Sequence, residues 1–302
     1  MKWLIKSPAP GTQRGLNWGD HHFAQSLARA LQAQGAEVLI QPREHWYQSD
    51  ESADIVLVLR GLHRYQRRAQ SKDTVHVIWN ISHPDAVADE EWADYDLICP
   101  ASMAVAARLE KRFSGRVLGL LQCTDTERFR LPEPGQARGR QGIIFVGNSR
   151  GVSRPVVDEL ASIRPPIRVW GLGWERFGHQ HLVVADNCPN EKLGELYRQS
   201  LVSLNDHWPD MTRAGYINNR IFDALACGLP ILSDIHAALL GLMGHRSGIV
   251  YAAPGRFQQA LAAMLLELPR HLKEAEHAAH RVRLGHSFDA RAQALIDRLV
   301  HA

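Results

Sequence analysis

Residues 218–234 read NNRIFDALACGLPILSD. Three polar residues, Asn218, Asn219 and Arg220, run directly into an apolar segment with helical spacing. The segment ends at a Cys-Gly-Leu-Pro sequence, and glycine followed by proline is typical of a helix terminus. An apolar run, LPILSD, comes next. The stretch therefore predicts a helix with polar groups at its start, followed by a tight turn into a buried strand.

The same alternation of short apolar runs and amphipathic segments extends through the rest of the chain. It predicts parallel sheets covered by helices, which is the α/β class. The predicted strands are residues 3–6, 37–40, 54–60, 75–80, 96–100 and 116–121 in the first half, and 142–148, 167–173, 181–186, 200–205, 229–234 and 248–252 in the second. Helical patterns fill the chain beyond Gly255.

One segment interrupts the alternation. Residues 131–142, LPEPGQARGRQG, are rich in proline, glycine and charge and have no apolar periodicity. We therefore predict two Rossmann-like βαβ domains facing across a cleft, 1–132 and 140–285, with a C-terminal helix, 286–302, packing back on the first domain. Ligands of such sheets bind beyond the carboxyl ends of the strands.

Composition excludes several classes of protein. The chain has 302 residues, of which 45% are hydrophobic and 22% charged, as in soluble globular proteins. A formal net charge of +3 is too small to indicate a nucleic-acid partner. The 4 cysteines form no C-x-x-C pattern, so we expect no metal site and no disulfide framework, but a reducing, cytoplasmic setting. No apolar run is long enough to span a bilayer.

The loop after the strand at 142–148 has the composition of a phosphate site. Gly147 and Asn148 follow the strand, and Arg150 and Arg154 lie close behind. Exposed backbone N–H groups and guanidinium donors together suit a phosphate or diphosphate. The sequence lacks the G-x-G-x-x-G and Walker patterns, so an ordinary glycine turn is the alternative interpretation.

A second polar cluster lies between the strand at 200–205 and the helix at 218. Asn205 and His207 stand at its start, and Asn218, Asn219 and Arg220 stand at its end. Asp223 lies one turn beyond Asn219, so these two side chains share one helical face and can address one ligand. The alternative is local, because asparagine is a common N-cap and a carboxylate near a helix start stabilises the helix dipole.

Residues 218–234 resemble the donor-binding segment of GT-B nucleotide-sugar glycosyltransferases. The similar families are the bacterial group 1-like and CgeB-like sets, whose pattern runs roughly R-hydrophobic-F-E-A-x-A-C-G-x-P. Three further segments support the resemblance: VWGLGW at 169–174, CTDTERF at 123–129 and HSFDARAQAL at 286–295. FVGN, before Ser149, is also similar.

The resemblance implies a GT-B fold and transfer of a sugar from a nucleotide diphosphate donor, which is a substrate, so we expect no cofactor. The sequence shows no metal-ligand cluster, and helix termini with arginine can replace a metal ion at the diphosphate, so we also expect transfer without a metal. It places Asp223 where the family has a glutamate that binds the ribose, and it makes Asn218, Asn219 and Arg220 candidates for the diphosphate or sugar. Arg150 and Arg154 would neutralise the leaving diphosphate. Gly215 lies where related retaining enzymes carry a second glutamate, so retention is favoured only slightly over inversion.

The first domain would then hold the acceptor, a glycan, a lipid-linked molecule or a protein. Asp20 and His22 lie at the start of its first helix, and His83 follows the strand at 75–80. We predict these three as catalytic candidates, since histidine is suited to proton transfer near neutral pH.

Other interpretations stay open. The basic run at 60–72 fits a solvated surface, and docking to an anionic acceptor or a peripheral membrane contact is its functional alternative. The chain as a whole fits a catalytically inactive nucleotide- or sugar-binding GT-B module, or a sugar-nucleotide epimerase of the same two-domain shape.

Overall fold

A computed structural model gives the fold for most of the chain. The described residues are 1–13, 15–48, 53–67, 73–133 and 139–300. Contacts divide the chain into two units. The first unit comprises residues 1–123, 208–218 and 286–302, and the second comprises 124–207 and 219–285.

The first unit is built on a five-stranded parallel sheet. Its strands are β1 (Lys2–Lys6), β2 (Glu37–Gln41), β3 (Ile55–Arg60), β4 (Val75–Asn80) and β5 (Leu97–Pro100). They lie in the order β2-β1-β3-β4-β5. All six residues of β3 are buried, because helices cover both faces of a parallel sheet and its central strand contacts no water.

The second unit contains a six-stranded parallel sheet. Its strands are β6 (Ile143–Val146), β7 (Arg168–Trp170), β8 (Val183–Ala185), β9 (Val202–Asn205), β10 (Ile231–Asp234) and β11 (Ile249–Ala252). They lie in the order β11-β10-β9-β6-β7-β8, so β9 and β6 are adjacent at the centre. The two sheets confirm the predicted pair of Rossmann-like α/β units.

Helices connect the strands in both units. They are α1 (Gly19–Ala33), α2 (Asp89–Ala93), α3 (Met103–Glu110), α4 (Pro155–Asp158), α5 (Asn190–Gln199), α6 (Pro209–Ala214), α7 (Asn219–Ala226), α8 (Ala237–Met243), α9 (Phe257–Leu266), α10 (Leu268–Gly285) and α11 (Phe288–Val300). The predicted stop of the first helix is observed, because Gly35 follows α1 with φ of 83°, a left-handed conformation that glycine adopts without strain.

The predicted strand at 116–121 is the exception among the strands. It forms only an isolated parallel bridge between Ile98 and Val117. The N–H groups of Leu118 and Leu120 donate to carbonyl oxygens of β5, at 2.9 and 3.0 Å. Pro100 has no N–H group, so β5 cannot return the hydrogen bond that a longer ladder needs.

The C-terminal helix packs in the first unit, as predicted. The ring of Phe288 on α11 lies 4.7 Å from the ring of Phe23 on α1, in an edge-to-face arrangement. Arg291 is buried and its Nε donates to the carbonyl oxygen of Leu121 at 2.8 Å. The guanidinium also contacts His286 Nδ1 at 2.8 Å, so the histidine and arginine of the HSFDARAQAL segment fix the helix in place.

Residues 208–218 also pack in the first unit, whereas the sequence placed them in the second domain, 140–285. Met211 and Tyr216 are buried in a core cluster with residues of β3, β4 and α3. The hydroxyl of Ser102 donates to the carbonyl oxygen of Ala214 at 2.6 Å. These contacts join parts of the chain that are about a hundred residues apart, so local periodicity could not indicate them.

The start of the second unit is the CTDTERF segment, and its polar side chains have structural partners. Asp125 Oδ1 accepts the backbone N–H groups of Glu127 and Arg128 at 3.1 and 3.3 Å, which forms a tight turn. Arg283 of α10 donates to the carbonyl oxygen of Phe129 at 2.7 Å. The segment therefore anchors the chain where it enters the second unit, after Cys123, whereas the prediction ended the first domain at 132.

Within the described part of the chain, no helix combines the length and apolar character needed to cross a bilayer.

Candidate functional site

The carboxyl ends of β6, β7, β9 and β10 lie at one edge of the second sheet. The strands are parallel and adjacent, so the loops that follow them meet there. These loops contain most of the predicted donor-binding residues. Gly147 and Asn148 follow β6, Asn205 ends β9, and Arg220 lies in the first turn of α7.

Arg220 is a firmly anchored cation at this edge. Its Nη1 donates to the carbonyl oxygen of Val146 at 3.0 Å and its Nη2 donates to that of Asp206 at 3.2 Å. The guanidinium lies 5.2 Å from the centre of the Phe145 ring. Burial, with the nearby Arg154 charge, lowers its pKa to about 10, so it remains cationic at neutral pH. A guanidinium has five N–H groups, and these two bonds leave further donors for an anionic ligand.

Two glycines allow the loops after β6 and β7 to approach closely. A Cβ atom on Gly147 would lie 2.9 Å from Arg220 Nη1. A Cβ atom on Gly171 would lie 2.2 Å from the carbonyl oxygen of Gly147, and Gly171 has φ of 147°. The side chain of Asn148 accepts the N–H of Leu172 at 2.8 Å and ties the two loops together. The FVGN and VWGLGW motifs thus form one backbone arrangement.

The two arginines of the loop after β6 have different surroundings. Arg154 Nε donates to Asp206 Oδ2 at 2.7 Å, and its Nη2 contacts the other oxygen of the same carboxylate. Both side chains are buried. Arg150 is exposed, and its φ of 55° turns the loop. We expected both arginines to neutralise a diphosphate, but the Arg154 guanidinium forms a two-point bond with Asp206 instead of facing solvent.

Asp223 is buried one turn inside α7, on the predicted face with Asn219. Its Oδ1 accepts the hydroxyl of Thr124 at 2.7 Å, and its Oδ2 accepts Asn219 Nδ2 at 3.1 Å. Burial raises the pKa of this carboxyl to about 8, although the two hydrogen bonds act in the opposite direction. Each carboxyl oxygen has a protein partner, so Asp223 holds α7 to the segment at Thr124 and orients the Asn219 amide.

Asn205 and His207 lie at the end of β9 and bond to the end of β10. Asn205 Nδ2 donates to the hydroxyl of Ser233 at 3.0 Å, and His207 Nδ1 lies 2.8 Å from Asp234 Oδ1. Burial opposes ionisation of Asp234, but the bonds from His207 and Ser233 outweigh it and hold the pKa of this carboxyl below its usual value. Sequence reasoning missed Asp234, although it is the last residue of the predicted strand LPILSD.

Asn218 belongs to the first unit, whereas Asn219 and Arg220 belong to the second. Asn218 lies two residues after Tyr216. The Tyr216 hydroxyl donates at 2.6 Å to Oδ1 of Asn80, the last residue of β4. Gly215 ends α6 with φ of 75°. This left-handed turn favours glycine and disfavours the glutamate that related retaining enzymes carry at this point.

In the first unit, Asp20 and Ser82, the residue before His83, lie near one glycine. A Cβ atom on Gly61 would lie 3.5 Å from Ser82 Oγ and 3.9 Å from Asp20 Oδ2. His83 follows Ser82 with φ of 53°, and its Nδ1 lies 2.9 Å from the Ser82 hydroxyl. His22 lies two residues beyond Asp20 on α1, a spacing that places the two side chains on different faces of the helix. The structure thus brings Asp20 close to Ser82, the residue before His83.

The described part of the basic run at 60–72 has intramolecular partners. Arg60 is buried and its Nε donates to Glu91 Oε1 at 2.6 Å. Arg64 lies 3.4 Å from Asp94 Oδ2, and Arg67 donates to the Asp94 carbonyl oxygen at 2.7 Å. These contacts favour the structural interpretation of the run. Arg68 and Lys72 lie outside the described residues.

In the described ranges, no group of three or more histidine, cysteine, aspartate or glutamate side chains is placed to hold a metal ion.

Comparison with known proteins places this geometry in context. The family model described as glycosyl transferase-like matches residues 150–297, just under half of the chain. No curated protein matches the chain in sequence.

Solved structures match over the whole chain. Sucrose-phosphate synthase from Thermosynechococcus elongatus has a TM-score of 0.69 at 12% identity, covering 100% of this chain and 98% of that one. Anabaena HepE, solved in complex with UDP and glucose, has a TM-score of 0.68 at 11% identity, covering 100% of both chains. The DNA-modifying enzyme β-glucosyltransferase, studied with and without uridine diphosphoglucose, has a TM-score of 0.65 at 13% identity, covering 99% and 100%. The chain therefore has the GT-B fold, and residues 150–297 match a glycosyl transferase-like family model.

Proposed function

We propose that this protein is a glycosyltransferase that moves a sugar from a nucleotide diphosphate donor to an acceptor hydroxyl. The family match and the GT-B fold support nucleotide-sugar glycosyl transfer. The observation that carries the proposal is the anchored cation at the edge of the second sheet, where Arg220 is held by two carbonyl oxygens beside the side-chain-free Gly147.

The donor in this proposal carries UDP. HepE was solved with UDP and with UDP-glucose, and β-glucosyltransferase with uridine diphosphoglucose. These proteins share only the fold with this chain, so UDP-glucose is the first compound to test and GDP-, dTDP- and CMP-linked sugars complete the panel.

In the reaction, negative charge develops on the diphosphate as the bond to the sugar breaks. A fixed cation at that position lowers the barrier because it requires no reorganisation during the step. We assign this role to Arg220, assisted by the exposed Arg150. Arg154 acts through Asp206 as a positioning residue, since Arg220 donates to the Asp206 carbonyl oxygen.

The first unit supplies the candidates for accepting the proton of the acceptor hydroxyl. They are Asp20, near Gly61, and His83, which contacts Ser82 beside the same glycine. Inversion would use one of them as the base, whereas retention would proceed on one face of the sugar and would need no such base. Family resemblance slightly favours retention. The anomeric configuration of the product, read by NMR, distinguishes the two.

We also propose that transfer needs no metal ion, because arginine side chains and helix N-termini can stabilise the diphosphate in place of a metal cation. Initial rates measured in EDTA and in Mg²⁺ test this. Equal rates support the proposal, and transfer that EDTA abolishes contradicts it.

A second candidate function is nucleotide or sugar binding without catalysis. Gly215, in its left-handed turn, is the observation that favours it, since related retaining enzymes carry an acid there. Thermal shift and donor turnover across the panel decide between the two. Binding with neither hydrolysis nor transfer supports the inactive module, and turnover with an acceptor supports the transferase.

A further inference from the structure

Four side chains at the ends of β9 and β10 form a hydrogen-bonded chain with a fixed direction. Asp234 accepts bonds from the Ser233 hydroxyl at 2.9 Å and from the His207 ring at 2.8 Å. Asn205 Nδ2 donates to Ser233 Oγ at 3.0 Å. An ionised carboxylate only accepts hydrogen bonds, so each of the other three groups must donate toward it.

The direction of these hydrogen bonds determines which atoms of Asn205 and His207, at the two ends of the series, can bind a ligand. The Ser233 hydroxyl donates its hydrogen to Asp234, so its oxygen can only accept, and it accepts from the Asn205 amide nitrogen. The side-chain oxygen of Asn205 therefore points away from Ser233. The His207 ring donates from Nδ1 to Asp234, and in the neutral form of that tautomer Nε2 holds the lone pair and accepts a hydrogen bond. Asn205 Oδ1 and His207 Nε2 are both buried and have no hydrogen-bond partner among the described residues.

Hydrogen bonds to two successive residues of β10 hold the two acceptor side chains in one cluster. Asn205 bonds to Ser233, and His207 bonds to Asp234. Asp206, between them, turns toward Arg154. Only 1% of Asn205 and none of the His207 side chain is exposed, so an unfilled acceptor at either position is costly.

We propose that Asn205 Oδ1 and His207 Nε2 accept hydrogen bonds from two hydroxyl groups of a sugar ring in the nucleotide-sugar donor, and that Asp234 is the positioning residue that fixes the His207 tautomer. The site suits a neutral ligand that donates two hydrogens and does not suit a phosphate, which only accepts. The sugar ring is either the transferred sugar or the ribose, and both have the required hydroxyls. The inference rests on the proposed function.

The test compares wild type with His207→Phe and Asn205→Ala by calorimetry, using UDP-glucose or whichever panel compound the wild type binds best. His245→Phe, an exposed histidine of the same unit, is the matched control. We expect each variant at the site to lower donor affinity about tenfold and the control to leave it unchanged. If affinity for UDP alone falls equally, the ring is the ribose; if UDP binds as before, it is the transferred sugar.

Deoxy analogues of the donor identify the contact. The wild type should lose about tenfold in affinity for the analogue lacking the bonded hydroxyl, and His207→Phe should lose nothing further with it. Two outcomes would overturn this inference and leave the proposed function in place. The variants could bind every compound as tightly as the wild type, or the affinity losses from the variant and from the missing hydroxyl could multiply. A wild type that binds no nucleotide sugar would contradict both this inference and the proposed function.

One measurement needs no variant and covers the case in which a variant fails to fold. In wild-type protein labelled with ¹⁵N-histidine, the Nε2 resonance of His207 should be that of an unprotonated nitrogen and should shift when the donor binds. A protonated Nε2 in the free protein, or a resonance that does not respond to the donor, would contradict the assignment.

Discussion

Arg154 and Asp206 form a two-point ion pair in which the side chains are only 7% and 8% exposed. A buried pair of this kind is costly to break, because the remaining charge has no compensation. Arg150, four residues earlier, is exposed. The two arginines look alike in the sequence but lie in different environments.

We therefore predict that replacing Arg154 affects mainly stability and that replacing Arg150 affects mainly nucleotide affinity. Arg154→Ala should lower the free energy of unfolding by about 3–5 kcal/mol, because it removes the two-point partner of the buried Asp206 carboxylate. Arg150→Ala should change stability by less than about 0.5 kcal/mol and lower nucleotide affinity by up to about fivefold. Urea unfolding and calorimetry measure the two effects. An Arg154→Ala variant as stable as the parent would refute the structural role.

Gly147 and Gly171 provide a second matched pair. In Gly147→Ala the new methyl group displaces Arg220 Nη1 from the Val146 carbonyl oxygen, so nucleotide affinity should fall about tenfold while stability falls by about 1 kcal/mol, the net value of one hydrogen bond. In Gly171→Ala the methyl group meets backbone in a conformation that only glycine adopts readily, so stability should fall by at least about 2 kcal/mol. Thermal unfolding with and without nucleotide separates them. Equal loss of stability in both variants would contradict the prediction.

Asp223 should make stability depend on pH. Its pKa is about 8 in the folded protein and near 3.8 when the chain unfolds, so the folded state binds the extra proton between these values. The contribution is complete below about pH 4 and is lost as pH rises through 8, with a slope of at most about 1.4 kcal/mol per pH unit.

Asp223→Asn mimics the protonated acid and should remove this dependence. The difference in unfolding free energy between wild type and variant should therefore change steadily from pH 5 to pH 8, in favour of the variant at high pH. Urea titrations at each pH measure it, and a constant difference would show that the carboxyl is not perturbed.

His83 gives a prediction about catalysis. Asparagine tolerates the left-handed backbone at this position, so His83→Asn should fold normally. If His83 transfers a proton, kcat should fall about 10²- to 10⁴-fold with the donor KM unchanged. His45→Ala, at an exposed histidine of the same unit, is the control. An unchanged kcat in His83→Asn would remove His83 from the mechanism and leave Asp20 to be tested in the same way.

The sequence predicted the strands and helices well because burial in a parallel sheet leaves a local signal. The apolar run of β3 and the Gly35 stop after α1 are examples. Pro100 explains why the predicted strand at 116–121 is not observed. Its effect on the pairing with β5 is visible only once that pairing is known.

The sequence predicted which loops form the candidate site, but it did not predict what each side chain in them bonds to. Arg154 and Asp206 are about fifty residues apart, and nothing in their local sequence indicates that they pair. Asp234 looked like the polar end of a strand. The packing of residues 208–218 in the first unit depends on Tyr216 reaching Asn80, a contact between distant segments.

The central claim is that Arg220 holds the diphosphate of a nucleotide-sugar donor. The most direct measurement is calorimetry of the UDP-, GDP-, dTDP- and CMP-linked panel on wild type and Arg220→Ala, with Arg168→Ala as the control because that exposed arginine lies on β7 and bonds to none of these loops within the described residues. We predict that one nucleotide class binds the wild type and the control, and that its affinity falls at least about tenfold in Arg220→Ala. Equal affinity in Arg220→Ala and wild type would contradict it.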